Sequence, residues 1–145
     1  SEMDCLPDMV CILSFESIKT AIQILKDSGN WGPKCDDASR AALNAYIKEE
    51  YDVYKLLVQE GVSPTMDGLP DMIGILSLES IKKVIQILKD TGNWDPKCDH
   101  ASRVALNAYI KEEYDVYELL VQEGVSPTMD YFLKVVFSES LECID

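Results

Sequence analysis

His100 is the only histidine in the 145-residue chain, and it stands directly after Cys98 and Asp99. A thiol beside an imidazole suggests an activated nucleophile or part of a metal site. Neither follows from adjacency alone. A nucleophile–base pair needs a third group to orient the base, and a structural metal needs a full tetrahedral ligand set with its own spacing, of which CxxC is the usual mark. No CxxC occurs. A second candidate is the acidic triplet Glu49, Glu50 and Asp52, which recurs as Glu112, Glu113 and Asp115. Three carboxylates this close could attract a divalent cation or a basic peptide. Calcium, however, takes about six oxygen ligands and usually a glycine-bearing loop. With no such loop here, a solvated helix junction is the better reading.

Two aromatic sets remain. Trp31 and Trp94 each lead into a proline-containing loop, where an indole can anchor a bound peptide or pin its own loop to neighbouring helices; pinning is the commoner role. Tyr46, Tyr51 and Tyr54, repeated as Tyr109, Tyr114 and Tyr117, form either a recognition stripe or a core edge with the hydroxyls in water. There is no P-loop, no GxGxxG, no HExxH and no nucleophile elbow. With one histidine, a Ser–His or Cys–His centre cannot occur in both copies of a repeat. The expectation is a protein that is not an enzyme, with no catalytic residue, cofactor or metal.

All these residues except His100 occur twice because the chain repeats itself. Cys5–Asp67 returns as Gly68–Asp130 at a shift of 63 residues (94 − 31 = 63 for the tryptophans). Eleven positions differ, among them Cys5/Gly68, Cys11/Gly74, Thr20/Lys83, Ala21/Val84, Gly32/Asp95, Asp37/His100 and Lys55/Glu118. The expected organisation is copy one at 1–67, copy two at 68–130, and at 131–145 either a truncated third copy or a capping helix built on Phe132, Val135, Val136 and Phe137.

Within a copy, Pro7 suits the first position of a short apolar helix, and Ser14 suits the cap of the next. Phe15, Ile18, Ile22 and Leu25 recur at three- and four-residue steps opposite Glu16, Lys19, Gln23 and Lys26, which predicts an amphipathic helix. Gly29 belongs at its left-handed end. Asn30–Cys35 reads as a loop, and Asp36 or Asp37 as the next cap. Ala38, Ala42, Leu43 and Ala45 form a small-residue face. A further helix over Tyr51–Glu60 ends at Gly61, with Val62 and Pro64 behind it. No stretch alternates as a strand does, so the fold class is all-α.

A half-period is also visible, since Asp4, Asp36, Asp67, Asp99 and Asp130 are 31 or 32 residues apart. Asp99-His-Ala-Ser-Arg-Val-Ala-Leu-Asn-Ala followed by Tyr114-Asp-Val-Tyr-Glu-Leu-Leu-Val-Gln-Glu-Gly-Val-Ser-Pro127 resembles an ankyrin repeat, whose units run about 33 residues. The second helix and its Gly124-to-Pro127 exit carry the resemblance. Val104-Ala105-Leu106-Asn107 stands where the family has Thr-Pro-Leu-His, and Glu112-Glu113 replaces Gly-His between the helices. The resemblance implies an ankyrin-like solenoid of tandem helical hairpins, with a helical-hairpin repeat of another kind as the alternative. It also implies partner contacts from the turns and first helices: Trp31, Asp37, Arg40, Asn44, Trp94, Asp95, His100, Arg103 and Asn107.

The net charge of −13, from 13 basic and 26 acidic residues, works against binding phosphate backbones, which takes clustered Lys and Arg, and against anionic membrane surfaces. The five cysteines are odd in number, and Cys5 and Cys11 become glycines in copy two. That suits reduced thiols and a cytoplasmic or nuclear location. The functional expectation is a scaffold or adaptor module binding a protein or peptide, a basic one being the electrostatic complement. The runner-up is self-association, because near-identical faces can pair between chains as well as within one.

Overall fold

A computed structural model describes residues 2–70, 72, 74–128 and 133 of the chain. Among them the regular structure is helical throughout: α1 (Leu6–Ile12), α2 (Phe15–Asp27), α3 (Asp36–Ile47), α4 (Tyr51–Gln59), α5 (Leu78–Asp90), α6 (Asp99–Ile110) and α7 (Tyr114–Gln122), with 3-10 turns at Glu2–Cys5 and Met66–Gly68. No described helix is long and apolar enough to cross a membrane. The expected terminal helix on Phe132, Val135, Val136 and Phe137 lies outside the described residues. Packing divides the chain into two units, Ser1–Gly68 with Lys82–Trp94, and Leu69–Ile81 with Asp95–Asp145. These units differ from the sequence copies, because Lys82–Trp94 belongs with the first.

In the first unit the alanine face of α3 decides the packing. Ala38, Ala41, Ala42 and Ala45 are fully buried, so neighbouring backbones come close. Leu6 and Val10 of α1, Ile18 and Ile22 of α2, and Val53 and Leu57 of α4 join the same core. Full burial of each Leu or Ile contributes about 1.5–3 kcal/mol. Ser39, buried on the same helix, accepts a 2.9 Å hydrogen bond from Thr65 N through its Oγ, fixing the segment that leaves α4. Gly68 follows in the second 3-10 turn. A Cβ there would stand 3.1 Å from Arg40 Cγ and 3.2 Å from Ser39 Oγ, so the turn approaches α3 this closely only because copy two has glycine where copy one has Cys5.

The helix ends follow from local chemistry. Ser14 Oγ accepts from Ser17 N at 3.2 Å, and Gly29, at φ +75, lets Asn30 N and Trp31 N both donate to Leu25 O. The cap of α3 corrects the expectation of Asp36 or Asp37. Cys35 is the extended residue before the helix, and its Sγ accepts from Ala38 N at 3.4 Å. The two aspartates fall inside the first turn, where their charge complements the helix dipole.

The second unit has the same local devices in α6 and α7. Ser102 Oγ accepts from Thr128 N at 3.1 Å, and Gly124, at φ +97, closes α7 against Pro96. One element differs. Residues 6–12 are helical, whereas the described residues among 69–75 form successive turns. Cys11 sits in α1 and donates from Sγ to Pro7 O at 3.4 Å. Its counterpart Gly74 adopts φ +98, with Lys111 Nζ 3.0 Å from where a Cβ would stand. Glycine is about 1 kcal/mol poorer than alanine inside a helix and is free to take that φ.

Candidate interaction surface

In copy one, several of the anticipated partner-binding residues are engaged within the protein. Trp31 is half-buried and donates from Nε1 to Glu60 O at 3.2 Å, which is the loop-pinning role. Asn44 Nδ2 donates to Pro7 O at 3.1 Å, and Arg40 Nη2 bridges to Asp37 Oδ1 at 3.1 Å. Burial, and then a hydrogen bond with the Asp4 carboxyl, raises the Asp37 pKa against the opposing pull of Arg40. These groups hold α1 and the N-terminal turn. In copy two, Asp95 and Arg103 are exposed, while Trp94, His100 and Asn107 are half-buried.

Cys98 is the extended residue before α6 and His100 is the second residue of that helix. The carboxylates of Glu49, Glu50 and Asp52 are engaged separately. Of the acidic triplet, Glu49 reaches Lys83, Asp52 Oδ1 accepts from Val53 N at 2.8 Å, and Glu50 buries Oε2 without a hydrogen-bond partner. No group of three or more His, Cys, Asp or Glu side chains is placed to hold a metal ion among the described residues.

The junction between α3 and α4 is instead a seat for another helix. The chain breaks at Lys48–Glu50, so Asp37–Glu60 is not one continuous rod. Glu49 takes φ +60, a conformation rare for a residue with a Cβ, and Glu49 N and Glu50 N donate to Tyr46 O and Ala45 O. This bend gathers Tyr46 edge-on to both Tyr51 and Tyr54, with centroids 5.6 Å apart in each pair. Helix α5 lies on the junction. Lys83 Nζ donates to Glu49 Oε1 at 2.9 Å and to Ile47 O at 3.5 Å. Their mutual hydrogen bond lowers the Glu49 pKa and raises that of Lys83. Further along, Asn93 Nδ2 donates to Pro64 O at 2.8 Å. Burial, then the neighbouring Tyr46 and Asp90, raises the Tyr54 phenol. Lys83, Ile87 and Asp90 are spaced i, i+4, i+7 along α5.

Residues 105–117 repeat 42–54 without a change, and α6 and α7 rebuild the junction in the second unit. Glu112 takes φ +62, and Tyr109 meets Tyr114 and Tyr117 at 5.5 and 5.2 Å. Here the surface is open. Tyr109 is 51% exposed, whereas Tyr46 is half-buried; Leu119 is partly exposed where Leu56 is buried. The helix that fits such a seat also has an open counterpart. Ile87 of α5 is 6% exposed and its equivalent Ile24 of α2 is 61% exposed. By contrast Ile12 and Ile75 (80% and 81%) are equally exposed in both copies, so the copies differ in exposure at particular positions and not throughout. The sequence identified the tyrosine sets, but neither Ile24 nor the open seat. No protein-family model matches the chain, and neither a curated protein nor a solved structure matches it.

Proposed function

We propose that the chain is a non-enzymatic protein-interaction module, a scaffold or adaptor of the cytoplasm or nucleus, built from ankyrin-like helical hairpins. On this reading its contact surface is the α6–α7 junction, with the outward Asp95 and Arg103 as further contacts. The observation that carries the proposal is the exposure of Tyr109 on a junction whose identical copy is occupied by a helix. Clustered tyrosines on a rigid bend supply large contact area at low entropic cost, and the −13 charge favours a partner with basic groups around an apolar centre. The test is affinity capture from a cell extract with the wild-type chain and Tyr109→Glu as parallel baits. A defined set of proteins should be retained by the first and lost from the second. Identical sets, or no retained protein, would contradict the proposal.

A further inference from the structure

The structure assigns Asp67–Gly68 as a covalent modification site of the folded chain, where aspartate rearranges to isoaspartate through attack by the backbone nitrogen of Gly68. The chain contains one Asp–Gly sequence and no Asn–Gly. In such pairs the side-chain carbonyl carbon is least shielded from the following nitrogen, because glycine has no Cβ. Copy one has Asp4–Cys5 at the matching positions. Asp67 is exposed in the 3-10 turn Met66–Gly68, and that turn holds the attacking nitrogen loosely. Gly68 N donates to Thr65 O at 3.4 Å, longer than the upper end of the ordinary N–H···O range at about 3.2 Å. Asp27–Ser28, at the end of α2, is the contrasting case. Ser28 has a Cβ, and its N donates to Ile24 O at 3.0 Å.

The reaction takes place within the chain and needs only water. Gly68 N loses its proton and bonds to Asp67 Cγ, the bond from Cγ to the carboxyl OH breaks, and water leaves a succinimide ring. Water then adds to one of the two ring carbonyls. Addition at Cγ breaks the new N–Cγ bond and restores aspartate. Addition at the main-chain carbonyl carbon breaks its bond to nitrogen, so the chain runs through Cβ and Cγ and the carboxylate is left on Cα. Mass is unchanged, and the backbone is longer by one carbon. The seat of the turn on α3 does not accommodate that carbon. Even a Cβ on Gly68 would stand 3.1 Å from Arg40 Cγ and 3.2 Å from Ser39 Oγ, and the added backbone bond is about 1.5 Å long. Ser39 Oγ also accepts the 2.9 Å hydrogen bond from Thr65 N, two residues before Asp67. Rearrangement therefore displaces the turn and breaks the bond that ties the segment after α4 to α3.

Ageing the full chain at physiological temperature and neutral pH, folded and in urea side by side, tests this. Isoaspartate is read by methyl transfer from S-adenosylmethionine with an isoaspartyl methyltransferase, and located by electron-transfer fragmentation in the mass spectrometer. The folded chain should accumulate isoaspartate at Asp67 to several times the level at Asp27. Asp67→Glu, whose longer side chain closes the ring far more slowly, should lose the signal at that position while keeping the helical circular dichroism. In the rearranged fraction the Thr65 N–H should exchange about tenfold faster than in the fresh chain, and aged Asp67→Glu should show no such change. No isoaspartate at Asp67, or isoaspartate there only in urea, would overturn the inference, and so would equal levels at Asp27 and Asp67. A folded chain that carries isoaspartate at Asp67 and keeps Thr65 fully protected would overturn it as well.

Discussion

Replacing Glu112 by glycine should stabilise the protein although it deletes a side chain. Glu112 occupies the left-handed region at φ +62, where a residue with a Cβ is strained by about 1–2 kcal/mol. Glycine removes that strain and returns about 0.5–1 kcal/mol through the greater freedom of its unfolded chain. The net expectation is about 0.5–1 kcal/mol of added stability. With a urea dependence of about 2 kcal/mol/M, the unfolding midpoint of the second unit should rise by about 0.25–0.5 M. Glu49→Gly gives an internal control in the first unit. It has the same backbone conformation, at φ +60, but Glu49 also holds Lys83 at 2.9 Å, so its gain should be smaller. Circular dichroism and tyrosine fluorescence through a urea titration would measure both variants. A lowered midpoint for Glu112→Gly, or a larger gain for Glu49→Gly than for Glu112→Gly, would refute the argument from backbone strain.

Other expectations follow from the same contacts. Ser39→Ala should cost about 1–3 kcal/mol in chemical denaturation, because it leaves the Thr65 N–H without the acceptor it has at 2.9 Å. Burial, then the hydrogen bond with Asp4, holds the folded Asp37 carboxyl above its ordinary range, with Arg40 opposing this and Asp36 adding to it. Its stabilising contribution is then fully present below the unfolded pKa and lost as pH rises through the raised folded value. Stability measured from about pH 4, near the ordinary carboxylate pKa, towards neutrality should therefore decline less in Asp37→Asn than in the wild type. Burial raises the Cys11 thiol, against the pull of Lys48, so Cys11 should alkylate more slowly than exposed Cys5 when modification is followed by mass spectrometry.

Much of the fold is legible in the sequence because it depends on near neighbours. The three- and four-residue spacing of Ile18, Ile22 and Leu25 gives the buried face of α2, and Ser14, Gly29 and Gly61 mark ends whose hydrogen bonds are local. The cap of α3 is less legible, since Asp36 and Asp37 are better capping types than Cys35. The turn from Gly32 to Cys35, closed by Cys35 N donating to Gly32 O, brings the thiol to that position. The contrast between α1 and the turns at 69–75 rests on two cysteine-to-glycine changes whose backbone consequence depends on what lies beside them, Arg40 in one case and Lys111 in the other. The interaction surface is the least legible part. Tyr46 and Tyr109 have identical sequence neighbours and yet differ in exposure, while Ile24 and Ile87 share Ile-Gln before them and Leu-Lys-Asp after them but follow Thr20-Ala21 in one copy and Lys83-Val84 in the other. Local sequence cannot carry that difference.

The claim that the α6–α7 junction exposes tyrosine surface that the α3–α4 junction shields is tested most directly by hydroxyl-radical footprinting of the wild-type chain. In dilute solution Tyr109 and Ile24 should be modified faster than Tyr46 and Ile87. Ile12 and Ile75, equally exposed, should react alike in the same sample. Equal modification of Tyr46 and Tyr109 in dilute solution would contradict the account at its foundation.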